Sequence, residues 1–237
     1  ERFSERVGHY MRHRPNCPEA ALEHLETHDV LGVGTDVAEM GSGTGIFSEQ
    51  LIGHGCEVWA LEPNSPMRSV AEATLETRAL FHSIAAEAEE TPLEDDSVEL
   101  VAAAQAFHWF DLEATREEWR RILAPPHRVA LLWALRRTEG DAFHEDLEAF
   151  LRRHGIDYAE TVERIESRIE ELPMFFGGEE GDAFQHETFD DHQTLDFEAF
   201  EGLLLSYSYV PLPGDEGYEA MAEDLEELCQ THEGHGA

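Results

Sequence analysis

The sequence predicts an α/β fold: a doubly wound, mostly parallel sheet with a helical insertion after strand five. Two observations carry this. Short apolar runs alternate with amphipathic stretches from about residue 19 to residue 133, the rhythm of strands lying side by side with helices on both faces. The first of these runs, with Val37, Ala38 and Met40, feeds a turn holding three glycines spaced two apart, Gly41, Gly43 and Gly45. The residues after it, 46–52, read as a helix.

The elements follow in order. Residues 1–17 are a charged lead-in carrying Tyr10, Arg12, Arg14 and Pro15. Pro18 opens a helix over 19–28, with Ala21, Leu22 and Leu25 apolar. Gly32 and Gly34 end that region before strand one. Val58, Trp59, Ala60 and Leu61 make strand two. Ser65 is placed to cap the next helix, with Pro66 at its first position and its end near Arg78. Residues 80–84 form strand three. Residues 97–103 form strand four and are nearly all apolar, as a strand covered on both faces should be. Asp111 caps a helix with Leu112, Trp119, Ile122 and Leu123 on one face. Pro125 and Pro126 stop that helix, and residues 129–133 are strand five.

The pattern then changes. Gly140 and Asp141 lead into a helix with Phe143, Leu147, Phe150 and Leu151 on one side. A second helix carries Tyr158, Val162, Ile165, Ile169 and Leu172. We expect this pair, 140–173, to be a lid over the active-site edge of a single domain spanning 1–237. Loops 173–181 and 211–217 are expected to be the mobile pieces. Residues 184–189 suit a sixth strand, and 197–205 and 218–229 read as helices.

The glycine turn is also the first functional signal. Glycine lets the backbone turn tightly and approach a ligand with no Cβ between. The helix that follows offers free N–H groups and a positive dipole end. This is a site for a nucleotide-like ligand at the carboxyl end of a parallel strand. Strand two ends at Glu62, 17 residues after Gly45, and an acid there can accept from both hydroxyls of a ribose. The dinucleotide fingerprint is G-x-G-x-x-G. Here the spacing is G-x-G-x-G, and Ile46 stands where the third dinucleotide glycine would be.

This stretch resembles the first motif of the class I S-adenosylmethionine (SAM) dependent methyltransferases. Leu61-Glu62-Pro63-Asn64 is similar to the family's second motif. Residues 86–93, AEAEETPL, resemble its G-D-A-E-x-L-P-F segment. Residues 104–111, AQAFHWFD, resemble the A-Q-A-x-H-W-F-D run of its type 11 branch, the ubiquinone-biosynthesis and trans-aconitate-like enzymes. The resemblance covers about 7–135 and implies a Rossmann-like methyltransferase fold with a SAM-binding core over 35–135. It also implies roles. The backbone from Gly41 through Ser42, Gly43 and Thr44 to Gly45 would cradle the methionine and ribose. Glu39 would fix the amino group or the turn, and Glu62 would bind the ribose hydroxyls. Pro63 and Met67 would pack on adenine. Glu87 would accept from the adenine amino group, beside the Ala88 N–H. Gln105 and His108 would face the transferred methyl, with a packed, hydrogen-bonded His108–Trp109 pair as the alternative. Tyr10 and Arg14 would lie over the cofactor and contact substrate. S-adenosylhomocysteine would be the product. The family closes with a seventh strand, for which the final residues, THEGHGA, offer no pattern.

Charge narrows the partners. The chain carries 52 acids and 16 basic residues, all arginine, for a net charge of −36. Such a surface repels itself at low ionic strength. At molar salt the Debye length falls to about 3 Å, so the composition points to a halophilic source. An engineered lysine-free surface is the alternative, and the excess of Glu (38) over Asp (14) bears on it. Nucleic acid is excluded as substrate, since phosphate binding needs clustered Lys or Arg. No apolar run approaches the ~20 residues of a membrane span, the first residues lack the apolar block of a signal peptide, and three cysteines without C-x-x-C fit reduced thiols. We expect a cytoplasmic monomer or homodimer. His9 and His13 have metal-pair spacing on a helix, but no further ligand pattern follows, so no metal is assigned.

In the chemistry the resemblance implies, the protein holds a nucleophile in line with an electrophilic methyl. A general base is needed only where that nucleophile must lose a proton. The acceptor expected is a small molecule, with a carboxylic acid as first choice because an arginine fork suits a carboxylate; Arg12, Arg14, Arg136 and Arg137 are the arginines nearest the lid. A SAM-binding regulator without transferase activity is the competing reading. The charge yields a prediction independent of both. The thermal midpoint should climb steeply from low to molar KCl, and a flat midpoint over that range refutes the halophile reading.

Overall fold

A computed structural model describes residues 6–178 and 183–232. The elements run α1 (Val7–His13), α2 (Glu19–Thr27), β1 (Asp36–Met40), α3 (Ile46–Gly53), β2 (Glu57–Leu61), α4 (Ser65–Leu75), β3 (Phe81–Ile84) and β4 (Val98–Ala104). A 3-10 turn, Phe107–Trp109, precedes α5 (Leu112–Ile122) and β5 (Leu123–Leu132). Five helices complete the described chain: α6 (Ala142–His154), α7 (Tyr158–Glu170), α8 (Leu172–Phe176), α9 (Phe197–Ser206) and α10 (Tyr218–Thr231). The chain divides into two compact units. One comprises Pro15–Ala134 and Arg168–Phe189. The other comprises Leu135–Ser167 with the described parts of Arg2–Arg14 and Asp190–Ala237. No helix among the described residues is long and apolar enough to cross a membrane.

The first unit is a five-stranded sheet in the order β3-β2-β1-β4-β5, every pair parallel. This is the doubly wound sheet the alternation of strands and helices predicts. Successive side chains of the central strands enter opposite cores. Val37, Leu100 and Ala102 pack with Leu22 of α2 and with Phe47 and Leu51 of α3. Ala38, Met40, Val101 and Ala103 pack with Trp119 and Ile122 of α5 and Phe175 of α8. Burial on both faces explains why β4 is apolar throughout. The chain order reverses between β1 and β4, so the carboxyl ends of these two strands flank the crevice where such sheets bind ligands.

Several boundaries move. Asn64, not Ser65, caps α4, its side chain accepting from Met67 N at 3.1 Å, so Pro66 sits one place further in. Leu123 leaves the helix face and begins β5, pairing with Val98. Pairing resumes at Arg128 opposite Leu100, so the two prolines fall in the irregular step of the ladder, where a missing N–H does least harm. The expected loop after Leu172 is largely α8, with Phe175 buried; residues 179–181 of that loop lie outside the described residues. The sixth strand is not formed. Phe184 makes an isolated bridge and 185–196 have no regular secondary structure. Phe184 instead stacks on Phe176 at 5.3 Å.

The second unit buries Leu147, Phe150 and Leu151 of α6 and Tyr158 of α7 against Leu204 and Leu205 of α9 and Met221, Leu225 and Leu228 of α10. In it α1 packs on α9, where Gly202 leaves room for His13: a Cβ at Gly202 would stand 2.3 Å from His13 Nε2.

The third glycine of the turn is fixed by packing as well as by dihedral. Gly45 has φ +82°, and a Cβ there would meet Leu75 Cδ1 at 2.9 Å and Ala71 Cβ at 3.1 Å. Gly34 has φ +85° with nothing within 4 Å. Gly34→Ala should therefore cost only the left-handed backbone, roughly 1–2 kcal/mol, while Gly45→Ala should cost roughly 1–3 kcal/mol more through the clash with α4. Urea unfolding of both variants checks this, and equal losses refute the packing argument.

Candidate functional site

Where β1 ends, the chain turns through Gly41 (φ +70°), Gly43 (φ +59°) and Gly45, all in the left-handed region. Most amides of this turn are already used inside the protein. Gly41 N and Ser42 N donate to Leu61 O at 2.9 and 3.1 Å, and Gly45 N donates to Ser42 O at 3.0 Å. Gly43 N donates to Glu62 Oε2 at 2.9 Å. The free N–H groups are expected at the helix start that follows, not at these four amides. The glycines set the path of the chain, and the helix start after them remains.

Glu62 is the joint of the site. It is 8% exposed. Oε2 accepts from Gly43 and Oε1 accepts from Asn64 N at 2.7 Å. Arg68 Nη1 donates to the Glu62 carbonyl at 2.7 Å. Burial pushes the Glu62 carboxyl above the usual range, while the Asn64 and Gly43 amides and the Arg68 charge pull it back. A carboxylate offers about four lone-pair positions, and two are taken, so each oxygen retains one for a pair of hydroxyls. Glu39, 2% exposed, accepts from Ser48 Oγ on α3. Burial pushes its carboxyl up to about 8, the Ser48 bond opposes this, and the Glu62 charge adds to it. Glu39 therefore braces the turn against α3.

The other sequence motifs converge on the same edge. A Cβ on Gly41 would lie 2.7 Å from Ala106 Cβ and 3.4 Å from Phe110 Cζ, so the segment after β4 is pressed on the first glycine. Met67 is buried and its Cε would be 3.3 Å from a Cβ on Gly43. Pro63, Arg68, Ala85, Ala86, Glu87 and Glu90 line an open cavity of about 390 Å³. Glu87 is exposed there; Ala88 is buried, and its carbonyl accepts from Trp119 Nε1 at 3.1 Å. Gln105 holds φ +58° with its N–H on Leu132 O at 2.9 Å. A positive φ in glutamine costs energy and is a mark of functional strands' ends. His108 is 6% exposed in the 3-10 turn, its ring 4.9 Å from Trp109.

Tyr10 and Arg14 stand apart from these residues in the chain's division: both belong to the second unit, on α1 and at its C-terminal cap. Arg68 and Ser48 went unassigned from sequence. Arg68 was visible only as an i, i+4 partner of Glu72, and Ser48 only as a small polar residue inside an apolar helix. Arg168 was also missed. It donates to Phe110 O at 3.0 Å and lies 5.8 Å over the Phe107 ring, holding both ends of the turn that carries His108.

The arrangement tests well against an adenosine-type cofactor. Thr44 Oγ1 is buried with no hydrogen-bond partner among the described residues, and Glu62 keeps unused acceptor capacity beside the cavity. A glycine turn after the first strand, an acid after the second and a reversal of strand order between β1 and β4 are features of nucleotide-binding α/β sheets. Residues 38–131 match the family described as a methyltransferase domain. An uncharacterised methyltransferase of Mycobacterium tuberculosis is 37% identical over 135 residues, covering 56% of this chain and 52% of that one. The chain thus spans about half the length of the first curated relatives it matches. An uncharacterised methyltransferase-like protein of Schizosaccharomyces pombe is 27% identical over 97% of this chain and 86% of its own length. The solved structure of a candidate type II methyltransferase from Anaeromyxobacter dehalogenans has a TM-score of 0.63 at 25% identity, covering 91% of this chain and 89% of that one.

Glu39 generates a pH prediction. Its folded pKa lies above its unfolded value, so the folded state binds the extra proton between about pH 4.5 and about 8. The stability it contributes is full below that window and is lost as pH rises through it, at up to about 1.4 kcal/mol per pH unit. Glu39→Gln keeps the shape and removes the titration. Its unfolding free energy should fall less steeply than wild type across that window, and parallel curves refute the assignment.

Proposed function

We propose that the protein is a SAM-dependent methyltransferase of the type 11, ubiquinone-biosynthesis and trans-aconitate-like branch, acting on a small-molecule acceptor, with a carboxylic acid as the acceptor class. The observation that carries the reading is Glu62 bridging the glycine turn and the Asn64 cap, with the next residue, Pro63, and Arg68, which donates to the Glu62 carbonyl, lining a cavity. The methyltransferase-domain match over 38–131 supports it. The AQAFHWFD run supports the branch.

Gly41 to Gly45 would shape the floor for the cofactor's methionine and ribose, with Ser42 and Thr44 buried beside it. Glu62 would accept from the ribose hydroxyls. Pro63 and Met67 would flank adenine, with Glu87 and Ala88 at its edge. Gln105 and His108 would stand at the reacting end, and Tyr10 and Arg14 are our candidates for contact with the acceptor. When bound, SAM supplies a methyl group on a sulfonium, already electrophilic. A carboxylate acceptor arrives ionised and asks for no general base. Gln105 and His108 then orient rather than deprotonate. We place the protein in a cytoplasmic, high-salt setting, for which the acidic composition is the support.

SAM and S-adenosylhomocysteine should bind by calorimetry and NAD should not. Glu62→Ala should weaken SAM binding by about 1.5–3 kcal/mol, the worth of a hydrogen bond to a charged group. Unchanged affinity in that variant, or NAD binding, counts against the cofactor. Transfer of labelled methyl from SAM to small carboxylic acids tests the reaction itself, and binding without transfer to any acceptor would make the protein a SAM-binding regulator.

A further inference from the structure

Four arginines of the second unit pair with acids, and Arg14 differs from them. Arg136 and Arg152 share Glu148, with N–O distances of 2.5 and 2.7 Å, and Arg136 also donates to Tyr158 Oη at 2.8 Å. Arg137 pairs with Asp190 at 3.2 Å and Arg153 with Asp224 at 2.8 Å. Arg14 is half-buried and has no acidic partner among the described residues. Its guanidinium lies over two aromatic rings, 4.5 Å from the centre of Tyr207 and 5.0 Å from that of Tyr10. It makes one long contact, Nη2 to Ser206 O at 3.4 Å, while Nε is closed off from solvent without a partner. A guanidinium has five donors, so most of this one's capacity is unspent. In a chain with 52 acids, an arginine resting on aromatic faces rather than on a carboxylate is a positive site held open.

Its surroundings suit an organic anion. Tyr209 stacks on Tyr207 with centroids 5.2 Å apart and planes at 11°, and on its other side the Tyr158 ring is 5.0 Å away. Neither the Tyr207 nor the Tyr209 hydroxyl has a hydrogen-bond partner among the described residues, so both are available to donate. Burial pushes the Tyr209 hydroxyl above its usual range, and Arg14 and Arg136 pull it the other way. The positive potential of two arginines therefore reaches one phenol oxygen. Arg136 shares Glu148 with Arg152, whereas no ion pair of Arg14 with an acid is found among the described residues, which leaves its charge for a ligand.

We propose that Arg14, Tyr10, Tyr207 and Tyr209 form a binding site for the carboxylate of a small organic monoanion with an apolar body. The guanidinium takes the two carboxylate oxygens in its plane, the phenols donate to the remaining lone pairs, and the stacked rings cover the apolar part. One net positive charge matches a monoanion and leaves a phosphate dianion half-uncompensated. The site stands on contacts within the second unit alone. Its use for the methyl acceptor rests on the methyltransferase reading above.

The test uses the full chain and three probes, benzoate, its neutral isostere benzamide, and inorganic phosphate, followed through the tyrosine ring resonances. Benzoate should shift Tyr207 and Tyr209 and give nuclear Overhauser contacts to their rings, binding at least tenfold tighter than benzamide or phosphate. Arg14→Gln should weaken benzoate at least tenfold and Arg14→Lys by less, with unchanged circular dichroism. If Arg14→Gln does not fold, the wild-type ring contacts and the benzoate-to-benzamide ratio decide alone. Absent benzoate binding, equal binding of benzamide, tighter phosphate, or undiminished affinity in a folded Arg14→Gln overturns the site. S-adenosylhomocysteine is titrated in parallel. Its failure to bind removes the methyltransferase reading and leaves the carboxylate site standing; benzoate's failure does the reverse.

Discussion

The 2.9 Å hydrogen bond from the Gly43 amide to Glu62 Oε2 ties together everything the site needs. It joins the turn after β1 to the end of β2. The Leu61 carbonyl, one residue before the acid, receives the Gly41 and Ser42 amides, so the two strand ends are laced by three bonds within three residues. Gly43 is also where Met67 rests, and Gly41 is where Ala106 rests. Elements from α4 and from the segment after β4 are thus located by the same turn. A side chain at Gly41 would displace that segment, and with it Gln105 and His108.

Such a joint costs solvation. Glu39 and Glu62 are both buried at the carboxyl edge of the sheet, and the charge of Glu62 adds to the burden on Glu39. Burying a carboxylate is tolerable when it is hydrogen-bonded or neutral. The two acids take different solutions. Glu62 keeps two amide donors and the nearby Arg68, which favour its charge. Glu39 has one hydroxyl donor and no cation, and holds its proton. The environments separate two chemically identical groups: two amides and a nearby arginine pull the Glu62 carboxyl back down, while burial with a single hydroxyl donor pushes Glu39 up to about 8.

Sequence made the glycine turn, Glu62 and the parallel sheet legible because each is local: a period, a spacing, a dihedral that only glycine adopts cheaply. The cap of α5 was equally plain in Asp111, whose side chain accepts from Ala114 N, whereas for α6 the sequence marked only that residues 140 and 141 lead into the helix, and the structure makes Asp141 its cap. Asn64 and Ser65 are adjacent and both good caps, so a one-residue shift was invisible until Met67 N showed its acceptor. The sixth strand failed for a different reason. Alternation over 184–189 reports which side chains prefer burial, and says nothing of a neighbouring edge to pair with. Phe184 satisfied its preference on Phe176 instead. The use of the turn amides by Leu61 and Glu62 was unreadable because it depends on the register of β1 against β2, in which Met40 lies opposite Leu61.

The acidic composition sharpens what an arginine means here. With acids outnumbering bases by more than three to one, several exposed guanidinium groups pair with a carboxylate, as those of Arg78, Arg121, Arg137 and Arg153 do. Those pairs, being exposed and screened by salt, contribute little each. Their physical effect is to remove free positive charge from the surface, so an anionic ligand meets repulsion almost everywhere. An arginine that aromatic rings keep from its acidic neighbours escapes this neutralisation. Stacking on Tyr10 and Tyr207 fixes the position of Arg14 without consuming its hydrogen-bond donors, because a ring face engages the flat of the guanidinium and leaves its edge free. In a chain of ordinary charge the same contact would carry little information. Against a net charge of −36, it favours the binding of a carboxylate there.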